Sequence, residues 1–256
     1  MIRRLALASG SLASLALLVS CTRFDADIAA TVNGHELTID QLQELAEGND
    51  DPAVLRAALS TWIQVVAASE DPGELLTEEA LAAERELILP PLIDSVQNQA
   101  QADYEQGLAG SPLLCLAVIP IAAETTSDSV LRGFAAGVSF ADLATRYSDD
   151  PSLVESGGVI SVDGQECLPI DQWNVDLVDQ LTTEDAVVGE PVVVSLNGSE
   201  VIVLLRPFEE LTQDSKDSLA QGPVSELLLE RYQDAEVTVN KRFGVWDAEQ
   251  GAVVTA

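Results

Sequence analysis

The sequence predicts an α+β protein in which helices come first and an antiparallel sheet follows. Residues 53–66 repeat apolar side chains at helical spacing, which is the pattern of an amphipathic helix. Residues 113–119 form an apolar run of strand length, which is typical of a central strand. The dipeptide Asn197-Gly198 stands between two apolar segments, and this is a strong signal for a two-residue β-hairpin. Because a hairpin joins strands that run in opposite directions, we expect antiparallel pairing.

Residues 22–110 are predicted to form a helical lobe that begins with a small strand. The strand covers residues 31–36 and contains an Asn-Gly turn. Thr38 follows as a candidate N-cap, and Gln41, three residues later, completes the pattern of a capping box. The amphipathic helix described above comes next, so this lobe is expected to have a core of its own.

Prolines are expected to interrupt two of the predicted helices. One helix begins near Thr77 and meets Pro90-Pro91, and another covers residues 212–233 and contains Gly222-Pro223. Because proline lacks the backbone N–H and its ring clashes with the preceding turn, we expect each helix to be kinked or divided there. Residues 209–256 are predicted to form this last helix and then a strand, because residues 235–240 alternate apolar and polar side chains.

Residues 111–208 are predicted to form a sheet wrapped by short helices. Gly157-Gly158 supplies the backbone freedom that a turn before a strand requires. The expected helices cover residues 127–136, 140–147 and 172–181, and the expected strands cover residues 113–119, 159–161, 191–195 and 201–205.

The composition indicates a folded, strongly acidic protein. The chain has 256 residues, 47 % of them hydrophobic, and a formal net charge of −31. Such a charge repels phosphate backbones, which excludes nucleic acid as an expected partner. Two interpretations of the acidity stay open: it keeps the protein soluble, or it attracts basic segments of unfolded polypeptides.

The N-terminus predicts export. Arg3 and Arg4 precede an apolar stretch over residues 5–19, which is shorter than the roughly 20 residues of a membrane-spanning helix and typical of a signal segment. Residues 18–21, Leu-Val-Ser-Cys, resemble a bacterial lipobox. We therefore expect residues 1–21 to be a lipoprotein signal in which Cys21 is lipidated, which would hold the protein on the outer face of a membrane. The alternative is an ordinary signal peptide with an incidental cysteine.

Two cysteines remain after Cys21, namely Cys115 and Cys167. In an oxidising compartment an even number of cysteines favours a disulfide, whereas two buried thiols are the alternative. Two cysteines and the single His35 do not have the spacing of metal ligands, so neither a metal nor another cofactor is expected.

Residues 139–205 resemble the parvulin (PpiC-type) peptidyl-prolyl isomerase domain. The resemblance lies in the order Phe-x-x-Leu-Ala-x-x-x-Ser-x-Asp from Phe140 to Asp150, then Gly-Gly, then Gly-x-Pro-Val from Gly189. The start VNGHELT and the chain's end resemble SurA- and PrsA-type foldases. This resemblance implies that residues 30–33 pair with residues 236–240, so that the chain's end completes the first lobe around an inserted parvulin-like domain.

The resemblance also implies a set of site residues. Cys115 and Glu200 stand where the family has its two histidines, and Asp150 keeps a position where the family has Cys or Asp. Gln165 matches the family's Gly-Gln-Met segment. The pocket phenylalanine of the family falls near Ile170 or Trp173, so that Cys115 and these two residues are the expected substrate contacts.

Rotation about an X-Pro bond has a barrier near 18–20 kcal/mol, and a catalyst must bind the twisted amide better than the planar one. Two interpretations follow. In one, Asp150, Gln165 and Glu200 act on the amide weakly and the protein is a slow isomerase. In the other, the cleft only grips extended chain, and a Cys115–Cys167 bridge ties its walls together.

Three functions therefore stay open. The first is a membrane-tethered chaperone for unfolded or proline-containing exported polypeptides, and the second is a divergent peptidyl-prolyl isomerase. The third is an envelope scaffold with one fixed protein partner. Simpler roles also exist for single residues, since Asp150 can cap the turn before Pro151 and Glu200 can be a solvated strand residue.

The processing prediction can be checked by mass. We expect the mature protein, isolated without reductant, to lack residues 1–20, to carry lipid on Cys21, and to be two hydrogens lighter if Cys115 and Cys167 are bridged. A mass without lipid would identify the ordinary signal peptide instead.

Overall fold

The computed structural model describes residues 27–121 and 125–256. The prediction for Cys21 therefore lies outside the described residues. The first lobe is formed by β1 (Ile28–Val32), β2 (His35–Thr38), α1 (Ile39–Leu45), α2 (Pro52–Ala68) and α3 (Glu78–Glu105). Together with the later elements, this arrangement confirms the predicted α+β class.

The second half alternates strands and short helices before the chain returns to the first lobe. In chain order these elements are β3 (Leu113–Pro120), α4 (Ser127–Ala135), α5 (Phe140–Tyr147), α6 (Pro151–Ser156), β4 (Cys167–Pro169), α7 (Val175–Thr183), β5 (Pro191–Leu196) and β6 (Ser199–Leu205). The chain ends with α8 (Gln213–Asp234), β7 (Val237–Val239), β8 (Val245–Asp247) and β9 (Ala252–Val254).

The helix starts follow from local capping. The Thr38 side chain accepts the Gln41 backbone N–H while the Gln41 side chain accepts that of Thr38, so the predicted capping box is confirmed. Asp51 accepts the Ala53 N–H at 2.7 Å at the start of α2, where Pro52 occupies the first helical position.

The prolines do not divide their helices. Helix α3 is continuous across Pro90 and Pro91, and α8 is continuous across Pro223, so of the two predicted outcomes, a kink or a division, the division is wrong. The two helices pack against each other, and burial of apolar side chains offsets the missing backbone hydrogen bonds. Their contact buries Leu92, Val96, Ala100, Ala220 and Val224.

The chain's two ends meet in a three-stranded sheet of order β2-β1-β7. Ala30 pairs with Val239 and Val32 with Val237 in antiparallel register. Beyond the strands, the Asn240 side chain donates to the Ile28 carbonyl at 2.9 Å, and Asn33 exchanges hydrogen bonds with Glu236. This pairing confirms that the end of the chain completes the first lobe.

The core of the first lobe contains residues from both ends of the sequence. Leu37, Leu42 and Leu59 are fully buried. Phe243 and Val253, more than 180 residues later in the chain (243 − 59 = 184), belong to the same cluster. The hairpin of β8 and β9 that carries Val253 is absent from the sequence predictions, because its strands have only three residues each.

A four-stranded antiparallel sheet of order β4-β3-β6-β5 forms the second core. Helices α4 and α5 cover one face, and α7 covers the other. The hairpin about Asn197-Gly198 is confirmed, with Leu196 opposite Ser199.

The edge strand of this sheet differs from the prediction. The structure places β4 at Cys167–Pro169, whereas residues 159–161 contribute only a bridge from Val159 to Ala117. Gly158 has a φ of +87°, and a Cβ there would lie 2.9 Å from the Val118 carbonyl oxygen. The segment therefore crosses close to β3 before it turns away.

None of the helices in the described ranges is both long enough and apolar enough to cross a lipid bilayer.

Truncation of Phe243 tests whether the chain's end belongs to the first core. We expect Phe243→Ala to lower the free energy of unfolding by about 3–5 kcal/mol, because it removes a buried aromatic ring. Val245→Ala, at a side chain that is 45 % exposed, is the matched control and should stay within about 0.5 kcal/mol. Urea denaturation measures both, and equal effects would contradict the shared core.

Candidate functional site

A cavity of about 310 Å³ opens on the α4/α5 side of the four-stranded sheet. Ala117 of β3 and Leu204 of β6, which are paired neighbours, form part of its lining. The remaining walls come from α4, α5, the segment after α6 and the segment after β6. The lining residues are Ala117, Phe134, Ser139, Phe140, Ala141, Ser156, Gly157, Val159, Leu204, Arg206, Pro207 and Glu210.

Local structure fixes the aromatic wall of the cavity. Ser139 caps α5 by accepting the Asp142 N–H at 3.1 Å, which places Phe140 at the first helical position. The rings of Phe134 and Phe140 meet edge to face with centroids 6.4 Å apart, a favoured geometry for aromatic pairs. The two helices thereby present a fixed apolar surface.

Arg206 and Glu210 are the ionisable residues in the lining. Arg206 is only 8 % exposed, and its guanidinium contacts the Glu166 carboxylate at 2.7 Å and the Glu210 carbonyl oxygen at 2.9 Å. Because a buried charge is costly unless it is paired, these two partners explain how Arg206 is retained there. Its charge is neutralised within the protein.

A disulfide between Cys115 and Cys167 lies beside this ion pair and joins β3 to β4. The structure thus has the bridge rather than two free thiols. Tyr104 of α3 is also buried in this cluster, and its hydroxyl donates to the Arg206 carbonyl oxygen at 2.8 Å. Burial raises the pKa of Tyr104 well above its ordinary value, so the hydroxyl keeps its proton at physiological pH.

Cys115 does not contact a surface that a substrate could reach. It is fully buried between β4, α3 and the segment that precedes α8. The expectation that Cys115 binds substrate is therefore corrected: at the position of the family's first histidine, the structure places a buried disulfide.

Asp150 serves as the N-cap of α6. Its carboxylate accepts the Ser152 N–H at 2.8 Å and the Ser152 hydroxyl at 2.6 Å, and these hydrogen bonds hold the pKa of Asp150 below its ordinary value. The carboxylate is thus engaged in a local turn, as the simpler interpretation of this residue expected.

Glu200 and Gln165 are both exposed. Glu200 lies opposite Ser195 in the β5–β6 hairpin. It shares one end of the sheet with Asp150, since Val201 pairs with Pro120 and Ser148 bridges Ile121. Gln165 lies in a tight turn that its backbone closes with Val162. None of the three predicted catalytic residues is among the described residues that line the cavity.

Ile170 and Trp173 lie on the opposite side of the sheet. They pack against the cluster of Leu116, Leu177 and Leu181 under α7, and the Trp173 indole N–H donates to the Leu168 carbonyl at 3.3 Å. The six predicted site residues, three catalytic and three substrate-binding, are therefore distributed over both faces and one end of the sheet. They do not surround one cleft.

Sequence reasoning missed most residues of the cavity. The sequence predicts Phe140 only as the start of a short helix, and it assigns Arg206 to no site. Phe134 and Phe140 lie on either side of the turn at Gly137, which is a weak signal that their rings meet. No local sequence pattern indicates that Arg206 and Glu210 line the same cavity as Phe134 and Phe140.

Comparison with known proteins finds no matching family model and no matching curated protein. Among solved structures, the chain is similar to the peptidylprolyl isomerase PrsA of Bacillus anthracis, with 14 % identity, a TM-score of 0.31, and coverage of 76 % of this chain and 92 % of that one. It is also similar to the foldase PrsA of Streptococcus pneumoniae, with 16 % identity, a TM-score of 0.31, and coverage of 79 % and 91 %. For a SurA-like chaperone of Campylobacter jejuni the identity is 17 %, the TM-score 0.30, and the coverage 80 % and 94 %.

Removal of the disulfide tests its part in holding this site. We expect the double variant Cys115→Ala/Cys167→Ala to lose about 2–4 kcal/mol of unfolding free energy, because the bridge closes a segment of 52 residues. Wild-type protein that is unfolded in urea with dithiothreitol should show the same loss, whereas the variant should not respond to reductant. A wild-type protein with the same midpoint in both conditions would contradict the bridge.

Proposed function

We propose that this protein is a membrane-tethered, extracytoplasmic chaperone that binds unfolded exported polypeptides. The observation that carries the proposal is the cavity on the sheet, which offers an apolar surface to a side chain while the Arg206 guanidinium and the Ser139 hydroxyl are already engaged. The tether would be the lipid on Cys21. The occupant would be an extended client segment.

The size and lining of the cavity suit an apolar side chain. Its volume of about 310 Å³ is at the lower end of the range for ligand sites. Phe134, Phe140, Val159 and Leu204 supply apolar contacts. Glu210, the exposed acid at the rim, and the net charge of −31 favour client segments that carry basic residues near the bound side chain.

The hydrogen-bond donors of the cavity argue against catalysis. A rotamase must present free donors to the twisted amide. The guanidinium of Arg206 contacts Glu166 and the Glu210 carbonyl, and the Ser139 hydroxyl donates to Asp142 at 2.8 Å. Opening either arrangement would expose a polar group at a cost, so the site is better suited to binding than to lowering a rotation barrier.

A divergent isomerase is the second candidate, because Asp150 and Glu200 share one end of the sheet. A scaffold for one fixed partner is the third. The chaperone differs from both, since it should act on unrelated clients and leave the rate of proline isomerisation unchanged.

Two assays separate these functions. We expect stoichiometric protein to suppress light scattering by denatured, reduced lysozyme, which is a basic client, and to leave the proline-limited refolding rate of ribonuclease T1 within about 1.5-fold of its uncatalysed value. Phe134→Ala should weaken the suppression because it removes the half-buried ring from the cavity wall. Val175→Ala, at an exposed site on α7, is the control.

Several results would overturn the proposal. Faster refolding that is lost in Asp150→Ala would identify an isomerase instead. One dominant partner recovered from envelope extracts, together with no effect on denatured clients, would identify a scaffold. If Phe134→Ala and Val175→Ala suppress lysozyme aggregation equally well, the cavity is not part of the client-binding site.

A further inference from the structure

A second cavity, of about 350 Å³, lies in the first lobe between the end of α1, one face of α2 and the start of α3. Small apolar side chains line its floor, and acidic side chains lie at its rim. The residues are Leu45, Ala46, Glu47, Asn49, Val54, Ala57, Ala58, Thr61, Glu78 and Leu81. We call it the acidic-rimmed pocket.

The pocket exists because α2 is apolar on two faces. Leu55, Leu59 and Trp62 are buried in the core of the lobe. Val54, Ala57, Ala58 and Thr61 have the spacing i, i+3, i+4 and i+7, so they share a different face. That face is only partly covered: Val54 is 37 % exposed, and the two alanines are too small to fill the space between α1 and α3.

The rim carries negative charge that no described cation pairs with. Glu47 and Glu78 are exposed, and neither forms an ion pair or side-chain hydrogen bond with a described residue. Arg56, the cation of α2, is two residues from Val54 and therefore about 200° around the helix from it. No described residue of the lining can neutralise the two carboxylates.

The position of Glu47 is fixed by the end of α1. Its φ is +53°, in the left-handed region that L-residues other than Asn and Asp rarely adopt. Hydrogen bonds on both sides hold this conformation, from the Glu47 N–H to the Glu44 carbonyl at 3.0 Å and from the Gly48 N–H to the Gln43 carbonyl at 2.8 Å. Glu78 lies in the first turn of α3, where the helix dipole favours a carboxylate.

We propose that the acidic-rimmed pocket binds a cationic aliphatic segment of an unfolded client. One Leu, Ile, Val or Met side chain would fill the pocket, and Lys or Arg residues next to it in the sequence would contact Glu47 and Glu78. This inference rests on the proposed function and names a client class for a second, separate contact in the first lobe.

Charge complementarity selects this occupant over a second copy of the chain. Two copies would each bring a net charge of −31, and like charges oppose their association. Anionic membrane surfaces and nucleic acids are repelled for the same reason. A segment with Lys or Arg around an aliphatic side chain satisfies both the rim and the floor.

Fluorescence anisotropy with labelled peptides tests the pocket. The probe has the sequence Gly-Ser-Lys-Leu-Lys-Ile-Lys-Ser-Gly, and two matched peptides replace either its three lysines by glutamate or its Leu and Ile by serine. We expect both replacements to weaken binding at least tenfold in 20 mM salt. At 0.5 M salt the affinity of the lysine probe should fall, because salt screens exposed ion pairs.

Variants locate the site. Glu47→Gln/Glu78→Gln should weaken binding of the lysine probe about five- to tenfold in 20 mM salt, in line with the loss of two exposed ion pairs. Glu184→Gln/Glu190→Gln, at exposed sites in the second half, makes the same change in net charge and should alter it less than twofold. Ala57→Leu, at an exposed position of the pocket, should weaken binding at both salt concentrations because it fills the cavity.

Equal losses in the two charge variants would overturn the proposal, because net charge alone would then explain binding. A self-associated protein that Ala57→Leu disperses would also overturn it, since the occupant would be a second copy. Suppression of lysozyme aggregation is measured in parallel. Retained suppression with no effect of the pocket variants on peptide binding would refute the pocket while the proposed function stands. If the wild-type protein does not suppress lysozyme aggregation but the pocket variants still weaken peptide binding, the proposed function is refuted while the pocket stands.

Discussion

The pairing of β7 with β1 is the constraint on which the rest of the structure depends. The two strands are more than 200 residues apart, so the first lobe is complete only when the end of the chain has returned. The segment from β3 to β6, which forms the four-stranded sheet, is thereby inserted between two parts of the lobe. Helix α8 brings the chain back along α3, and the two helices share a buried apolar cluster.

The four-stranded sheet and the segments beside it bring a disulfide, an ion pair and a buried tyrosine together. A buried disulfide occupies one position that resemblance assigns to a histidine, and an exposed glutamate occupies the other. Nearby, Arg206 is neutralised by Glu166, and Tyr104 anchors the same segment to α3. These interactions satisfy polar groups inside the protein, which leaves the adjacent cavity as an apolar surface.

In the proposed function, the acidity of the protein favours client segments that carry basic residues. Exposed carboxylates lie at both cavities, Glu47 and Glu78 at the acidic-rimmed pocket and Glu210 at the cavity on the sheet. The charge of Arg206 is paired with Glu166. Electrostatic attraction in water is weak for any single exposed pair but sums over an overall charge of −31. In the proposed function, the two cavities combine short-range apolar contact with a long-range preference for basic chain segments.

The sequence by itself determined features that depend on neighbours along the chain: the capping box at Thr38, the hairpin about Asn197-Gly198, and the α+β class. The resemblance added the return of the chain's end to β1. Tertiary packing determined the features that local sequence patterns do not indicate. Packing of α3 on α8 kept the helix continuous at Pro90-Pro91, and the crossing after Gly158 left β4 as the edge strand. The candidate site also came from tertiary structure, because Phe134 and Arg206, which line the same cavity, belong to segments about 70 residues apart (206 − 134 = 72).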